Sequence, residues 1–283
     1  AAPAPPDYQA WRLALSAVNG LKKLIAASDD LLCLAELEAW ALEVVEKPLR
    51  RVGFNATAED GHQTTLLRSM LVQEAAAYGS ADARAFGEGL FWAHVREGAE
   101  IDPNFRRAAF QAGANANETG YQEVLGMFRN ATDPALVREL TDALASVDKA
   151  DLVERTLELA VSDDVRAQDT VYLIVDVSRS SPAGLSLAWQ MVQNHFEVIA
   201  AHGGGVGAAG AGMSPLIQRV ASQFASGTEI SQVRHLFRTY GEEYGLVERL
   251  MDQAVEAIES NRAWLDLNKD DLCAWVAAKA GGP

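Results

Sequence analysis

Residues 180–199 read SSPAGLSLAWQMVQNHFEVI, and this stretch predicts a single amphipathic helix. Ser181 is placed to cap the free backbone N–H groups, and Pro182 stands at a first-turn position that needs no hydrogen bond. A helix that carries Trp and Phe on its apolar face needs neighbouring helices to cover that face. The apolar residues recur at steps of three and four, which places them on one side: Leu185, Trp189, Val192, Phe196 and Ile199.

The composition of the 283-residue chain favours helix throughout. It is 49% hydrophobic and 22% charged, the balance of a globular protein. Ala and Leu are abundant while β-branched runs are scarce, which disfavours strands. The net charge of −15 repels phosphate backbones and anionic lipid, so the chain predicts neither nucleic acid nor membrane as a partner.

The rest of the chain shows short helical patterns divided by short breaks. The β-branched run at 170–178 (TVYLIVDVS) has no second strand candidate to pair with, so we interpret it as a buried helix. We predict an all-α protein, an α-solenoid of antiparallel helix pairs of the HEAT or armadillo kind. It would form one domain over residues 1–283, with a concave face shaped as a bowl. Four pairs read as an N-cap followed by a first-turn proline: 102–103, 133–134, 181–182 and 214–215.

One glycine-rich segment matches a nucleotide-binding pattern. Residues 205–210 (GVGAAG) fit G-x-G-x-x-G, which cradles a pyrophosphate only where a strand precedes it in a βαβ unit. A predicted helix precedes it here, so a flexible loop over residues 202–213 is favoured, with a nucleotide enzyme as the weaker alternative. No H-E-x-x-H and no G-x-S-x-G occurs, and the five histidines form no ligand pair. The residues therefore predict no catalytic group and no metal ligand in this chain.

The two cysteines, Cys33 and Cys273, lie far apart in the sequence. Their scarcity suggests no disulfide framework and no zinc knuckle, and it predicts a reducing, cytoplasmic location. Three Asn-X-Thr triplets are potential glycosylation sequons and favour the secretory pathway lumen or the cell surface instead. Such triplets also arise by chance, so this alternative stays open. They occupy residues 55–57, 117–119 and 130–132.

Two arginines stand at turns between predicted helices. In VRAQD, residues 165–169, Asp169 is placed to cap the following helix and Arg166 to pair with a carboxylate. The alternative is an arginine presented to a peptide on the concave face. Arg129, at the end of the helix predicted over residues 117–129, is open to the same two interpretations.

Six segments, taken in order, resemble the C-terminal helical domain of zinc aminopeptidases of the puromycin-sensitive, endoplasmic-reticulum and aminopeptidase N type. Each segment alone is weakly specific, but together they nearly span the chain. They are DYQAWRLALSAV (7–18), YQEVLGMFRNATDPALVRELTDALAS (121–146), VRAQD (165–169), the 180–199 stretch, LIQRVASQFAS (216–226) and IESNRAWLDLNKDDLCAWV (258–276).

This resemblance implies a part of a larger enzyme. In the family, the zinc ion, its H-E-x-x-H ligands, the Gly-x-Met-Glu-Asn loop and the catalytic Tyr lie in earlier domains, and none of those motifs occurs here. The implied role is to cap the active-site cavity and to help bind and select peptides for removal of their N-terminal residues. The implied partners are the peptide and the missing catalytic domain, with zinc in the parent enzyme and no cofactor in this chain.

The resemblance also implies where substrate would touch the chain. Arg129 and Arg166 occupy motif positions expected to line the bowl, where a basic group favours a peptide's C-terminal carboxylate. Gln168 and Asp169, from the same segment as Arg166, complete the expected set of substrate contacts. The rival function from another class is a stand-alone helical-repeat adaptor that binds protein partners along its groove.

Overall fold

The computed structural model describes residues 7–27, 33–57, 59–203 and 206–280, with the backbone alone for 206–211 and 280. Over these ranges it contains fourteen α-helices and no strand, which confirms the all-α prediction. The helices are α1 (Tyr8–Ala26), α2 (Leu34–Val52), α3 (His62–Ala77), α4 (Ala81–Glu97), α5 (Arg106–Ala116), α6 (Glu118–Asn130), α7 (Pro134–Ala145), α8 (Ala150–Ala160), α9 (Ala167–Ser180), α10 (Pro182–Asn194), α11 (Phe196–His202), α12 (Val206–Ala221), α13 (Gly227–Tyr244) and α14 (Glu248–Ala280).

The chain divides into two compact units. Within the first unit the helices α2 to α6 pack in consecutive pairs, α2 on α3 through α5 on α6. Within the second unit the helices α8 to α13 also pack in consecutive pairs, α8 on α9 through α12 on α13. Sequential packing of neighbouring helices is the organisation of an α-solenoid, as predicted. The single domain and the bowl-shaped concave face stay predictions. The first unit comprises Ala1–Lys22, Leu32–Ala143 and Asp271–Pro283, and the second comprises Lys23–Leu31 and Leu144–Asp270.

The stretch at 180–199 forms two helices rather than the one predicted. Helix α10 ends before His195, which is exposed at the break, and α11 begins directly after it. The Ser181 hydroxyl accepts a hydrogen bond from the Gly184 N–H at 2.9 Å, and Pro182 opens α10, so the predicted start is confirmed. All five apolar residues of the predicted face are buried. The pattern therefore identified the buried face correctly although it missed the break.

Helices α9 and α10 approach each other closely through a glycine. A Cβ atom at Gly184 would lie 2.4 Å from the carbonyl oxygen of Val177, far inside van der Waals contact. The 170–178 run lies within α9, as predicted, and Leu173, Ile174 and Val177 are buried there. Substituting Gly184 would therefore force these two helices apart.

Two of the four predicted proline starts are wrong. The starts at Pro134 and Pro182 are confirmed, but α5 begins only at Arg106, because residues 103–105 form a turn. Pro215 lies inside α12, and the Ser214 hydroxyl accepts a hydrogen bond from the Val247 N–H at 2.9 Å. A hydroxyl engaged with another segment does not cap a helix start at this point.

The predicted loop at 202–213 is also wrong over most of its length. Helix α12 begins at Val206, because the alanines of this segment favour helix strongly enough to outweigh its glycines. Gly204 and Gly205 lie outside the described residues. Helix α11 precedes the glycine pattern, so the strand that a pyrophosphate cradle requires is not found in the described part of the chain before it.

In the first unit, a buried arginine forms hydrogen bonds near both ends of the segment 53–61. Arg68 is 1% exposed, and its Nε donates to the carbonyl oxygens of Val52 and Gly53, both at 3.1 Å. Its Nη1 donates to Asp60 at 2.7 Å, and this hydrogen bond lowers the pKa of the Asp60 carboxyl to about 2. These bonds replace the hydrogen bonds that a regular helix would provide.

The same unit contains a disulfide that the sequence did not predict. Cys33 and Cys273 are bonded, with their Cα atoms 5.4 Å apart and a sequence separation of 240 residues. Trp40 and Trp275, from the same two helices, meet edge to face with ring centroids 5.0 Å apart. The two cysteines suggested no disulfide framework, because a contact across so many residues leaves no local pattern in the sequence.

Candidate functional site

The start of α9 carries three of the four predicted site residues. Arg166 occupies the N-cap position, and its Nε donates to Asp169 Oδ2 at 2.6 Å. The prediction that Arg166 pairs with a carboxylate is confirmed. The prediction that Asp169 caps the helix is wrong, because Asp169 lies in the first turn, where its charge still favours the positive end of the helix dipole.

These side chains face solvent. The Arg166 side chain is 73% exposed and that of Asp169 is 39% exposed, and Gln168 is exposed as well. An ion pair this open to water contributes little to folding stability. Its groups therefore remain accessible to a ligand.

An aromatic residue that sequence reasoning missed extends this surface. Tyr172 is 52% exposed and lies one helical turn beyond Gln168. The guanidinium carbon of Arg219, from α12, lies 5.8 Å from the centre of its ring, within cation–π distance. The step of four from Gln168 was the available signal, but the β-branched run around Tyr172 was assigned wholly to the core. The α9 surface is the set Arg166, Gln168, Asp169, Tyr172 and Arg219.

The turn that precedes α9 is held in place by a hydrogen bond from α11. Val165 is buried, and its carbonyl oxygen lies 3.1 Å from Nε2 of His202, the last residue of α11. Since a carbonyl oxygen only accepts, this ring nitrogen donates. The turn before α9 is thus held against α11 while its charged side chains point outward.

A small cavity lies at the other side of the α9 start. Thr170, whose buried hydroxyl has no hydrogen-bond partner in the described part of the chain, contributes to its lining. The cavity has about 20 Å³, which accommodates a single water molecule rather than a small organic ligand. Ligand contact at the start of α9 is therefore expected on the surface and not in this cavity.

The fourth predicted residue, Arg129, belongs to the other unit. It lies in the last turn of α6 and is exposed. A cation at a helix C-terminus favours the negative end of the helix dipole, so this position also has a structural role. The structure thus brings Arg166, Gln168 and Asp169 together and places Arg129 in a separate compact unit.

A carboxyl group of α7, outside the α9 surface, has a raised pKa. Burial raises the pKa of Glu139 in α7, although the nearby Arg106 opposes the shift. One turn away, Asp142 forms ion pairs with Arg138 at 2.9 Å and with Arg107 at 3.4 Å. Since Arg107 lies on α5, this group of charges ties α5 to α7.

The described residues do not fit a zinc site. Within them, no group of three or more His, Cys, Asp or Glu side chains is placed to hold a metal ion. No helix in the described ranges is both long and apolar enough to span a bilayer. The α9 surface offers charged, amide and aromatic groups to solvent.

The chain matches one protein-family model and is similar in sequence to several aminopeptidases. Residues 2–260 match the model of the ERAP1-like C-terminal domain. Aminopeptidase M1 of Arabidopsis thaliana is 25% identical over 236 residues, which are 81% of this chain and 26% of that protein. Glutamyl aminopeptidase of Bos taurus is 22% identical over 275 residues, or 95% and 27%. Aminopeptidase N of Homo sapiens is 28% identical over 211 residues, or 72% and 21%. The chain spans about a quarter of the length of these relatives.

Proposed function

The chain belongs to the family of ERAP1-like C-terminal domains, and from this premise we propose that it caps the active-site cavity of a zinc aminopeptidase. It helps to bind and select peptides, while the catalytic domain of the same enzyme removes their N-terminal residues. Zinc belongs to that catalytic domain. The partners of this chain are then the peptide and the rest of the enzyme.

The observation that supports this proposal most strongly is the α9 surface. It presents a guanidinium group, an amide, a carboxylate and an aromatic ring on one side of the second unit. A peptide offers backbone amides, side chains and a terminal carboxylate, and each has a complement here. Arg166 uses Nε for Asp169 and carries two further guanidinium nitrogens, the geometry that binds a carboxylate in bidentate fashion.

The helical-repeat architecture supports the enclosing role. Sequentially packed helices slide by small amounts against one another, so such arrays change curvature without unfolding. A curved array around the peptide would admit it in an open form and hold it in a closed one. Arg129 stays a proposed substrate contact, separate from the α9 surface.

The test uses the full-length enzyme that contains this chain. We expect Arg166→Ala to raise KM for peptides about tenfold with kcat unchanged, because a charge-assisted hydrogen bond to the distal end of the peptide is lost, about 1.5 kcal/mol. An aminoacyl-arylamide ends beyond its first residue and does not reach the α9 surface, so its kcat/KM should stay the same.

Arg262→Ala is the matched control. Arg262 is also an exposed arginine of the second unit, with its Nε 3.8 Å from Asp266, and it lies on α14 rather than on the α9 surface. The proposal fails if Arg166→Ala leaves the peptide KM unchanged, or if it impairs the arylamide and the peptide equally. An equal peptide effect in Arg262→Ala would show that loss of positive charge alone is responsible.

A further inference from the structure

We propose that Asn130 and Asn55 carry N-linked oligosaccharides, and that the chain matures in an oxidising secretory compartment. This inference is independent of the proposed function. It joins two observations of different kinds: the disulfide in the first unit and the exposure of two Asn-X-Thr triplets.

The disulfide identifies the type of compartment. The bond between Cys33 and Cys273 joins α2 to the end of α14. Glutathione and thioredoxin keep cytosolic thiols reduced, whereas the secretory lumen and the extracellular space allow such bonds to form and persist. The bond argues against the cytoplasmic location that cysteine scarcity predicted.

Asn130 has the geometry of an acceptor. It is the last residue of α6 and is exposed, as is Thr132 two residues later. The chain leaves the helix here, since Ala131 is extended with φ −71° and ψ 131°. The Asn130 Nδ2 donates to the Gly126 carbonyl oxygen at 2.7 Å. A glycosylated amide keeps one hydrogen on Nδ2, so the attached sugar leaves this hydrogen bond possible.

Asn55 is exposed like Asn130, but it lies outside a helix. Residues 55–57 are all exposed in the irregular segment between α2 and α3. The third triplet differs, because Asn117 caps α6 by accepting a hydrogen bond from the Gly120 N–H at 3.0 Å. Its side chain is held at the point where α5 meets α6, so the proposal does not include it.

The modification is a balanced group transfer. The co-reactant is a lipid-linked oligosaccharyl pyrophosphate, supplied in the lumen of the secretory pathway. A bond forms between the asparagine Nδ2 and C1 of the first sugar, and the bond between C1 and the pyrophosphate oxygen breaks. The lipid pyrophosphate leaves as an anion with the electron pair of the broken bond, and the proton lost by the amide passes to solvent. No oxidation or reduction takes place.

The first experiment uses the full-length protein purified from the cells that make it. After digestion without reductant, mass spectrometry should find the Cys33 and Cys273 peptides linked. Peptide N-glycosidase treatment in heavy-oxygen water should convert Asn130 and Asn55 to labelled aspartate. Free thiols at Cys33 and Cys273 would overturn the assigned compartment. A linked disulfide with unlabelled Asn130 and Asn55 would overturn the glycan sites, as expected for a bacterial periplasm.

The second experiment separates the sequon from any effect on folding. The protein is secreted from a eukaryotic cell line with Thr132→Ala or Thr132→Ser. Thr132→Ala should lose one glycan, seen as one step of faster gel migration, whereas Thr132→Ser preserves the sequon and should keep it. Thr57→Ala and Thr57→Ser form the same matched pair for Asn55. Equal migration of the Ala and Ser variants would contradict the proposal.

Discussion

The starts of α9 and α10, two consecutive helices of one unit, are built in opposite ways. Helix α10 begins where it packs against α9. Ser181 caps it, and Gly184 lies close to the carbonyl oxygen of Val177. Helix α9 begins at the surface, without a side-chain cap hydrogen bond, and Arg166 pairs there with Asp169. The start of α10 therefore stabilises the fold, whereas the start of α9 presents polar groups to solvent.

The largest effect expected from this contrast is that of Gly184→Ala. The new Cβ atom would meet the Val177 carbonyl oxygen at 2.4 Å, so α9 and α10 must separate at a cost of about 3 kcal/mol. Thermal or urea unfolding monitored by circular dichroism measures the loss. The matched control is Gly212→Ala in α12, where the new Cβ would lie 3.8 Å from Val171, in ordinary van der Waals contact, and helix propensity favours alanine. Equal stability of the two variants would show that the close approach does not exist.

A smaller effect is expected for Ser181→Ala. The Gly184 N–H then loses the side-chain acceptor at 2.9 Å, and removal of such a cap costs about 1 kcal/mol. Ser181→Asp preserves an acceptor oxygen at this position and should recover most of the loss. If the Ala and Asp variants unfold at the same urea concentration, the cap contributes nothing to stability.

The smallest effect on stability is expected for Arg166→Ala. The Arg166 side chain is 73% exposed and that of Asp169 is 39% exposed, so the free energy of unfolding should change by less than about 0.5 kcal/mol. The same variant should weaken peptide binding in the full-length enzyme, which separates a binding role from a folding role. A decrease in Tm as large as that of Ser181→Ala would remove the contrast between the two helix starts.

Local patterns in the sequence were sufficient for the start and the buried face of α10 and for the buried side of α9. The Ser-Pro start, the glycine in the first turn and the apolar steps all act within a few residues. The same reasoning failed at Pro215, because the alanines before it extend α12 upstream. The break at His195 was missed because the apolar steps continue across it into α11.

Contacts between distant segments could not be read from the sequence. The disulfide joins residues 240 positions apart, and two isolated cysteines carry no sign of such a pairing. The exposure of Tyr172 depends on which neighbours cover α9, whereas its β-branched surroundings predict burial. The Arg166–Asp169 pair was predictable because the two residues are one helical turn apart.

The most direct test of the central claim, that the chemistry of peptide cleavage lies outside this chain, is a hydrolysis assay on the chain alone. The purified chain is incubated with zinc and aminoacyl-arylamide substrates, and release of the arylamine is followed against a blank. We expect no release above the blank. Turnover that scales with the chain through successive purification steps and disappears with a zinc chelator would contradict it.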